Sequence, residues 1–130
     1  MNKPFLSVAA LLGALSVILG AFAAHKLKQI AAAETVAVFE TGVRYQFYHV
    51  FALLIVALLS EKFSNRWMIW AGNCFITGII LFSGSLYLLT ALKIAESTHG
   101  RLAGVITPVG GLFFIAGWVF LWLGASQKNK

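Results

Sequence analysis

Six residues of this chain have the types and spacing to do chemistry together: His25, Glu40, Arg44, Tyr45, Tyr48 and His49. Five of them fall in ETGVRYQFYHVFALLIVALLS, Glu40 to Ser60, which opens polar and ends as hydrocarbon. On one helix Glu40, Arg44 and Tyr48 stand four apart, and so do Thr41, Tyr45 and His49. The two sets form neighbouring stripes on one surface, and Glu four residues before Arg is the favourable order for a helical ion pair. His25 ends the first apolar block and comes near this surface if consecutive helices pack together.

Several chemistries suit such a cluster. His25 and His49 with Glu40 are candidate metal ligands, but no HxxxH or ExxH pair supports them. Two imidazoles suit a haem, but both histidines fall toward one end of the apolar blocks, not at opposed mid-span positions. Arg, Tyr and His together suit a lipid headgroup, a quinone or another small ligand. The plainer reading is anchoring, with Arg44 and Tyr45 at headgroup level and a Glu40–Arg44 pair tying two segments together. Anchoring is preferred, no metal ligand or catalytic residue is assigned, and the cofactor is left open. His99, beside Gly100 in a polar loop, reads as solvated. Cys74, alone in an apolar block, reads as a small core residue and excludes an internal disulfide.

The elements that must position these residues follow from composition. The chain has 130 residues, 60% of them hydrophobic and 11% charged, with a mean hydropathy of +0.87. Soluble domains keep roughly a quarter of their residues charged, so the solvent here is a membrane. A net charge of +6 suggests nucleic acid. However, the Lys and Arg residues are scattered in ones and twos and build no stripe for a phosphate backbone. Nucleic acid is excluded as a partner.

Four apolar blocks stand out: 4–24, 45–60, 67–92 and 102–127. Backbone groups in lipid must pair within their own element, and a spanning helix needs roughly 20 residues. Period-two alternation is absent, which argues against a barrel. Lys3 with the following run and AFA at 21–23 resembles a cleavable leader, but the run is long for one. It reads as a retained first span, with Ser16, Gly20 and Ala24 spaced by four for close helix approach.

The second block is short. Its helix must start near Gly42 or Val43, drawing Arg44, Tyr45 and Tyr48 into the headgroup layer with His49 just beneath. Upstream, Val36, Phe39, Val43, Phe47 and Val50 form one apolar stripe. Residues 31–41 therefore read as an amphipathic surface helix, with Gly42 the bend into the span. Asn73, Thr77 and Gly84 share a face of the third block, and Gly110, Gly117 and Gly124 repeat every seven in the fourth. Gly110–Gly111 after Thr107–Pro108 reads as a loosened or broken first turn of that span.

Four spans put both termini and the loop 61–66 on one side. Lys3, Lys62, Arg66, Lys128 and Lys130 lie there, against Lys26, Lys28, Arg44, Lys93 and Arg101 opposite. The balance is even, and discounting Arg44 leans it toward cytoplasmic termini. Trp67, Trp70, Trp118 and Trp122 form an interfacial belt on the terminal side.

Four segments, GAFAAHKL, FETGVRYQFYH, LFSGSLYLL and ITPVGGLFFIAGW, together resemble the YgdD/YwdK-like family of small bacterial inner-membrane proteins. That family carries a domain-of-unknown-function label and has a eukaryotic membrane relative. The resemblance spans nearly the whole chain. Its pattern favours Gly where this chain has Ala23 and Lys26. It implies four spans and an inner-membrane location, and brings no activity, substrate or catalytic residue. His25, Glu40, Arg44, Tyr45, His49, Thr107 and Pro108 lie in the matching segments, and His99 outside them.

The expected molecule is an all-α membrane protein, one domain over 1–130, with four transmembrane helices in an antiparallel bundle. The spans are expected near 5–25, 43–60, 67–92 and 103–125, with the amphipathic surface helix near 31–41. The expected role is structural or accessory in a membrane assembly, with the lipid bilayer and a protein partner or second copy as neighbours. The alternatives are a small-ligand or metal binder at the His25/Arg44/His49 end and an oligomeric transporter. Spans one, three and four carry no mid-span charge, which weighs against the transporter. Reporter fusions after Ser60 and at Lys130 are expected to report one compartment, and a fusion after Leu27 the other. Opposite signals from the first two would remove the four-span reading.

Overall fold

The computed structural model describes residues 1–127. Lys128 and Lys130, counted above on the terminal side, lie outside the described residues. Four helices are long and apolar enough to cross a membrane: α1 Lys3–Ile30, α2 Ala33–Leu59, α3 Arg66–Ile94 and α4 Gly100–Ser126. No strand occurs among the described residues.

Local chemistry sets the ends. Asn2 caps α1, its side chain accepting from the Phe5 amide at 3.1 Å, and Pro4 sits in the first turn where no donor is needed. Asn65 caps α3 by accepting from the Trp67 and Met68 amides. Its amide nitrogen also donates to the Gly124 carbonyl at 3.0 Å, which ties the start of α3 to the end of α4. Glu96 takes a left-handed φ of 55° in the turn that closes α3. Pro108 does not break α4, which runs unbroken from Gly100. The Thr107 hydroxyl donates to the Ala103 carbonyl one turn back.

Two helices contain a wider π turn, Ala23–Leu27 in α1 and Ile79–Ser83 in α3. The first carries α1 past its expected end. Ala23 and Leu27 stay buried against Val36, Phe39 and Val43 of α2, so the apolar contact continues and the helix with it.

The surface helix expected near 31–41 does not exist as a separate element. Residues 33–59 are one helix, and Gly42 lies inside it without interrupting it. The apolar stripe is real, but Val36, Phe39, Val43 and Val50 bury it in the bundle, with Phe47 partly buried beside them. Gly42 is a point of close approach. A side chain there would meet the ring of Tyr87 at 2.8 Å and the Ser83 carbonyl at 3.3 Å. In lipid, small residues mark where backbones meet.

α2 and α3 form the centre, with α1 flanking α2 and α4 flanking α3. Buried shares of their most apolar windows are 50% and 39% for the inner pair and 17% for each flank. The α3–α4 seam is an antiparallel heptad register. Met68, Phe75 and Phe82 lie over Gly124, Gly117 and Gly110, and Phe114 fills the space at Gly78 in return. At Gly110 the neighbour is backbone: a methyl group there would overlap the nitrogen of Phe82. Gly110→Ala is therefore expected to destabilise the bundle by about 1–3 kcal/mol. Gly104→Ala, with open space around it, should change stability by less than about 0.5 kcal/mol. Unfolding by denaturing detergent titrated into mild micelles, followed by circular dichroism, measures both. Equal stability of the two variants would contradict the seam.

Candidate functional site

The continuous α2 places the candidate residues deeper and on different faces than a bent helix would. His49 is buried, with 4% of its surface exposed, and turns toward α4. Its ring stacks on Phe114 at a centroid distance of 3.5 Å and 7° between planes. Nδ1 lies 2.6 Å from the Tyr45 carbonyl, so it carries a proton and donates. Nε2 then accepts from the Trp118 indole N–H at 3.1 Å. Both ring nitrogens are satisfied, and the hydrogen bonds define a neutral tautomer. Trp118, assigned above to the interfacial belt, instead donates its indole proton to this histidine. Trp67 and Trp70 do pair at 5.2 Å, with Phe120 beside them.

His25 lies in the α1 π turn and is exposed. Val50, next to His49, packs at Gly13 of α1, and Val43 packs at Gly20. His25 is thus roughly 18 Å further along the α1 axis than the level of His49, at 1.5 Å per residue. The two histidines share no ligand-sized space, and the expected His25–His49 approach does not occur. Among the described residues no group of three His, Cys, Asp or Glu side chains converges.

Arg44 is exposed on the outer face of α2, and Glu40 is half-buried one turn away. No ion pair joins them among the described residues. Glu40 instead lines a groove of about 400 Å³ with Lys28, Ala31, Ala33, Val36 and Ala37, where α1 hands over to α2. Tyr45 packs on Phe82 at 4.7 Å and on Tyr48 at 5.7 Å, while Tyr48 itself remains 53% exposed. The structure therefore unites Tyr45 and His49 in an aromatic wall against Phe114 of α4, with Tyr48 outside it and, among the described rings, touching Tyr45 alone. It leaves Arg44 facing outward and His25 apart from that wall. His99 is exposed, and its Nδ1 pairs with the Ser97 hydroxyl.

The main buried polar network involves residues the sequence reading passed over. The Gln46 amide is 1% exposed, donates to the Leu12 carbonyl at 3.0 Å and accepts from the Tyr87 hydroxyl at 2.7 Å. One side chain thereby joins α1, α2 and α3. The Ser83 hydroxyl donates to the Gly42 carbonyl at 2.7 Å. A signal was present: Gln46 is the single amide between Arg44 and Ser60, and an amide at membrane depth needs partners.

Residues 19–111 match the family model described as Protein of unknown function (DUF423). The chain belongs to that family. It is similar to the UPF0382 inner membrane protein YgdD of Escherichia coli strain K12, 38% identical over 131 residues, covering 100% of this chain and 95% of the relative. It is also similar to the UPF0382 membrane protein YwdK of Bacillus subtilis strain 168, 39% identical, with coverage of 96% and 98%. No solved structure matches. The matched range takes in His25, Gln46, His49, Ser83 and Tyr87. It covers the Gln46–Tyr87 and Ser83–Gly42 bonds, while Leu12 and Trp118 lie outside it.

Removing Gln46 takes the acceptor from the Tyr87 hydroxyl and the cross-helix donor from the Leu12 carbonyl, which keeps the Ser16 hydroxyl at 2.8 Å. Gln46→Leu is expected to lose about 1–3 kcal/mol and Tyr87→Phe about 1 kcal/mol. The double variant should lose less than the sum, because the two share one bond. Denaturing-detergent titrations of all four proteins measure the cycle. Strict additivity would show that the bond contributes nothing.

Proposed function

We propose that this protein is a structural or accessory subunit of an inner-membrane assembly. The observation that carries this reading is the division of its polar side chains. Those in the interior bond within their own helix, as Ser16 and Thr90 do, or hold helices together: Gln46 with Tyr87 and Leu12, Ser83 with Gly42, and His49 with Trp118. No buried side-chain polar atom is left unpaired among the described residues. A transport path or a buried reactive centre needs polar groups free to meet a substrate, and the interior offers none. The groups that remain available lie outward near the middle of α2, at Arg44 and Tyr48.

Support for the inner membrane comes from the relatives named as inner membrane proteins together with four apolar spans. The chain acts there as one integral unit, with its termini on the cytoplasmic side. The outer face of α2 is where a partner helix finds hydrogen-bonding and charged groups at bundle depth.

A photo-reactive amino acid placed at Tyr48 tests this in intact membranes. A discrete protein adduct is expected from Tyr48, reduced at least severalfold by Arg44→Ala. No such adduct is expected from Leu112, an exposed position on α4. Identical adduct patterns from Tyr48 and Leu112, or none from Tyr48, would refute the subunit reading.

A further inference from the structure

At the end of the bundle opposite the Lys28–Glu40 groove lies a second cavity, of about 470 Å³. Its rim is polar, with Asn2, Ser60, Ser64 and Arg66, and its floor is apolar, with Phe63 and Met68. Three of the rim groups carry donors that no acceptor engages among the described residues. Asn2 uses only its side-chain oxygen, in the α1 cap. The Ser64 hydroxyl makes no hydrogen bond. The Arg66 guanidinium pairs with no carboxylate and is held over the faces of Trp67 and Trp70, at 5.0 and 5.4 Å from their centroids. Stacking fixes the cation in position without neutralising it. The nearby carboxylate of Glu61 is 80% exposed and lies 3.7 Å from the chain's amino terminus.

From this arrangement we infer that the cavity binds a phosphate anion, and that the phosphate belongs to a phospholipid headgroup. Donors without acceptors around a fixed guanidinium suit phosphate oxygens, which only accept. The depth is right as well. Indoles such as Trp67 and Trp70 settle at the headgroup layer, so the rim meets lipid phosphates there. The apolar floor then meets the glycerol ester and the first methylenes of the acyl chains. A free phosphate ion shares the anion chemistry but makes no use of that floor.

Native mass spectrometry of the full chain from mild micelles tests the inference. The probes are phosphatidylglycerol and a diacylglycerol of the same chains, which lacks phosphate. Wild type is expected to retain one phosphatidylglycerol under activation that strips bulk lipid, and to retain no diacylglycerol. Arg66→Gln should cut that retention about tenfold, the scale of one charge-assisted hydrogen bond. Ser64→Trp, which fills the cavity from an exposed loop position, should do the same and carries the test alone if Arg66→Gln fails to fold. Arg101→Gln, at the other end of the bundle, should change nothing. In lipid-free micelles, a saturable change in tryptophan fluorescence with millimolar inorganic phosphate, lost in Arg66→Gln, would assign the site to the free anion. Equal retention of diacylglycerol, an undiminished adduct in Ser64→Trp, or equal loss in Arg101→Gln would overturn the inference.

Discussion

The rest of the bundle depends on how closely α3 is held between its two neighbours at its π turn. Gly110 of α4 meets the backbone of Leu81 and Phe82 on one side, and Gly42 of α2 meets Ser83, Leu86 and Tyr87 on the other. A π turn inserts one extra residue and rotates everything beyond it. Here that rotation lets Ser83 reach the Gly42 carbonyl and Tyr87 reach Gln46. Phe82 at the same turn packs on both Tyr45 and Phe114. With a larger residue at either glycine, α3 moves outward and these bonds lengthen together.

Lipid tails supply no hydrophobic drive between helices, so packing and hydrogen bonds must provide it. The structure uses both in separate places. The α3–α4 seam relies on shape, with aromatic rings set over glycines and a single amide, from Asn65, closing its end. The α1–α2–α3 junction relies on polar pairing through Gln46. His49 joins the two regimes, since it stacks on Phe114 and also accepts from Trp118. Its imidazole fixes where α4 crosses α2, a positional role that asks nothing of its titration.

Much of this was legible in the sequence. Block lengths and missing charge imply four helices, and the heptad of Gly110, Gly117 and Gly124 announces its seam. The seam's other half, Met68, Phe75 and Phe82, has the same period but no compositional mark, because large apolar residues are common in any span. Two errors share one cause. Gly42 reads as a hinge and residues 31–41 as a surface helix only if polar residues must lie at the membrane edge. A helix packed against α1 and α3 can take polar groups deeper by pairing them across the interface. Sequence spacing reports neighbours on one helix, and so it grouped Glu40 with Arg44 and Tyr45 with His49. It does not report which helix each face meets, and that separates His25 from His49 and joins Gln46 to Tyr87.

The distribution of burial bears on what the fold is for. The flanking helices α1 and α4 bury 17% of their apolar windows, and what they expose is mostly aliphatic. Such surfaces are satisfied by acyl chains and demand no partner. The polar opportunities are local and lie off those flanks: the Lys28–Glu40 groove at one end, the Arg44–Tyr48 face midway along α2, and the Arg66 cavity at the other end. A bundle whose middle is closed by its own hydrogen bonds can still act as a spacer of fixed length and orientation. In the subunit role proposed above, it would hold two chemically distinct ends at set depths in the bilayer. For that task rigidity at Gly110 and Gln46 matters more than any reactive side chain. The cross-helix bonds of Gln46, Ser83 and His49 serve that rigidity directly.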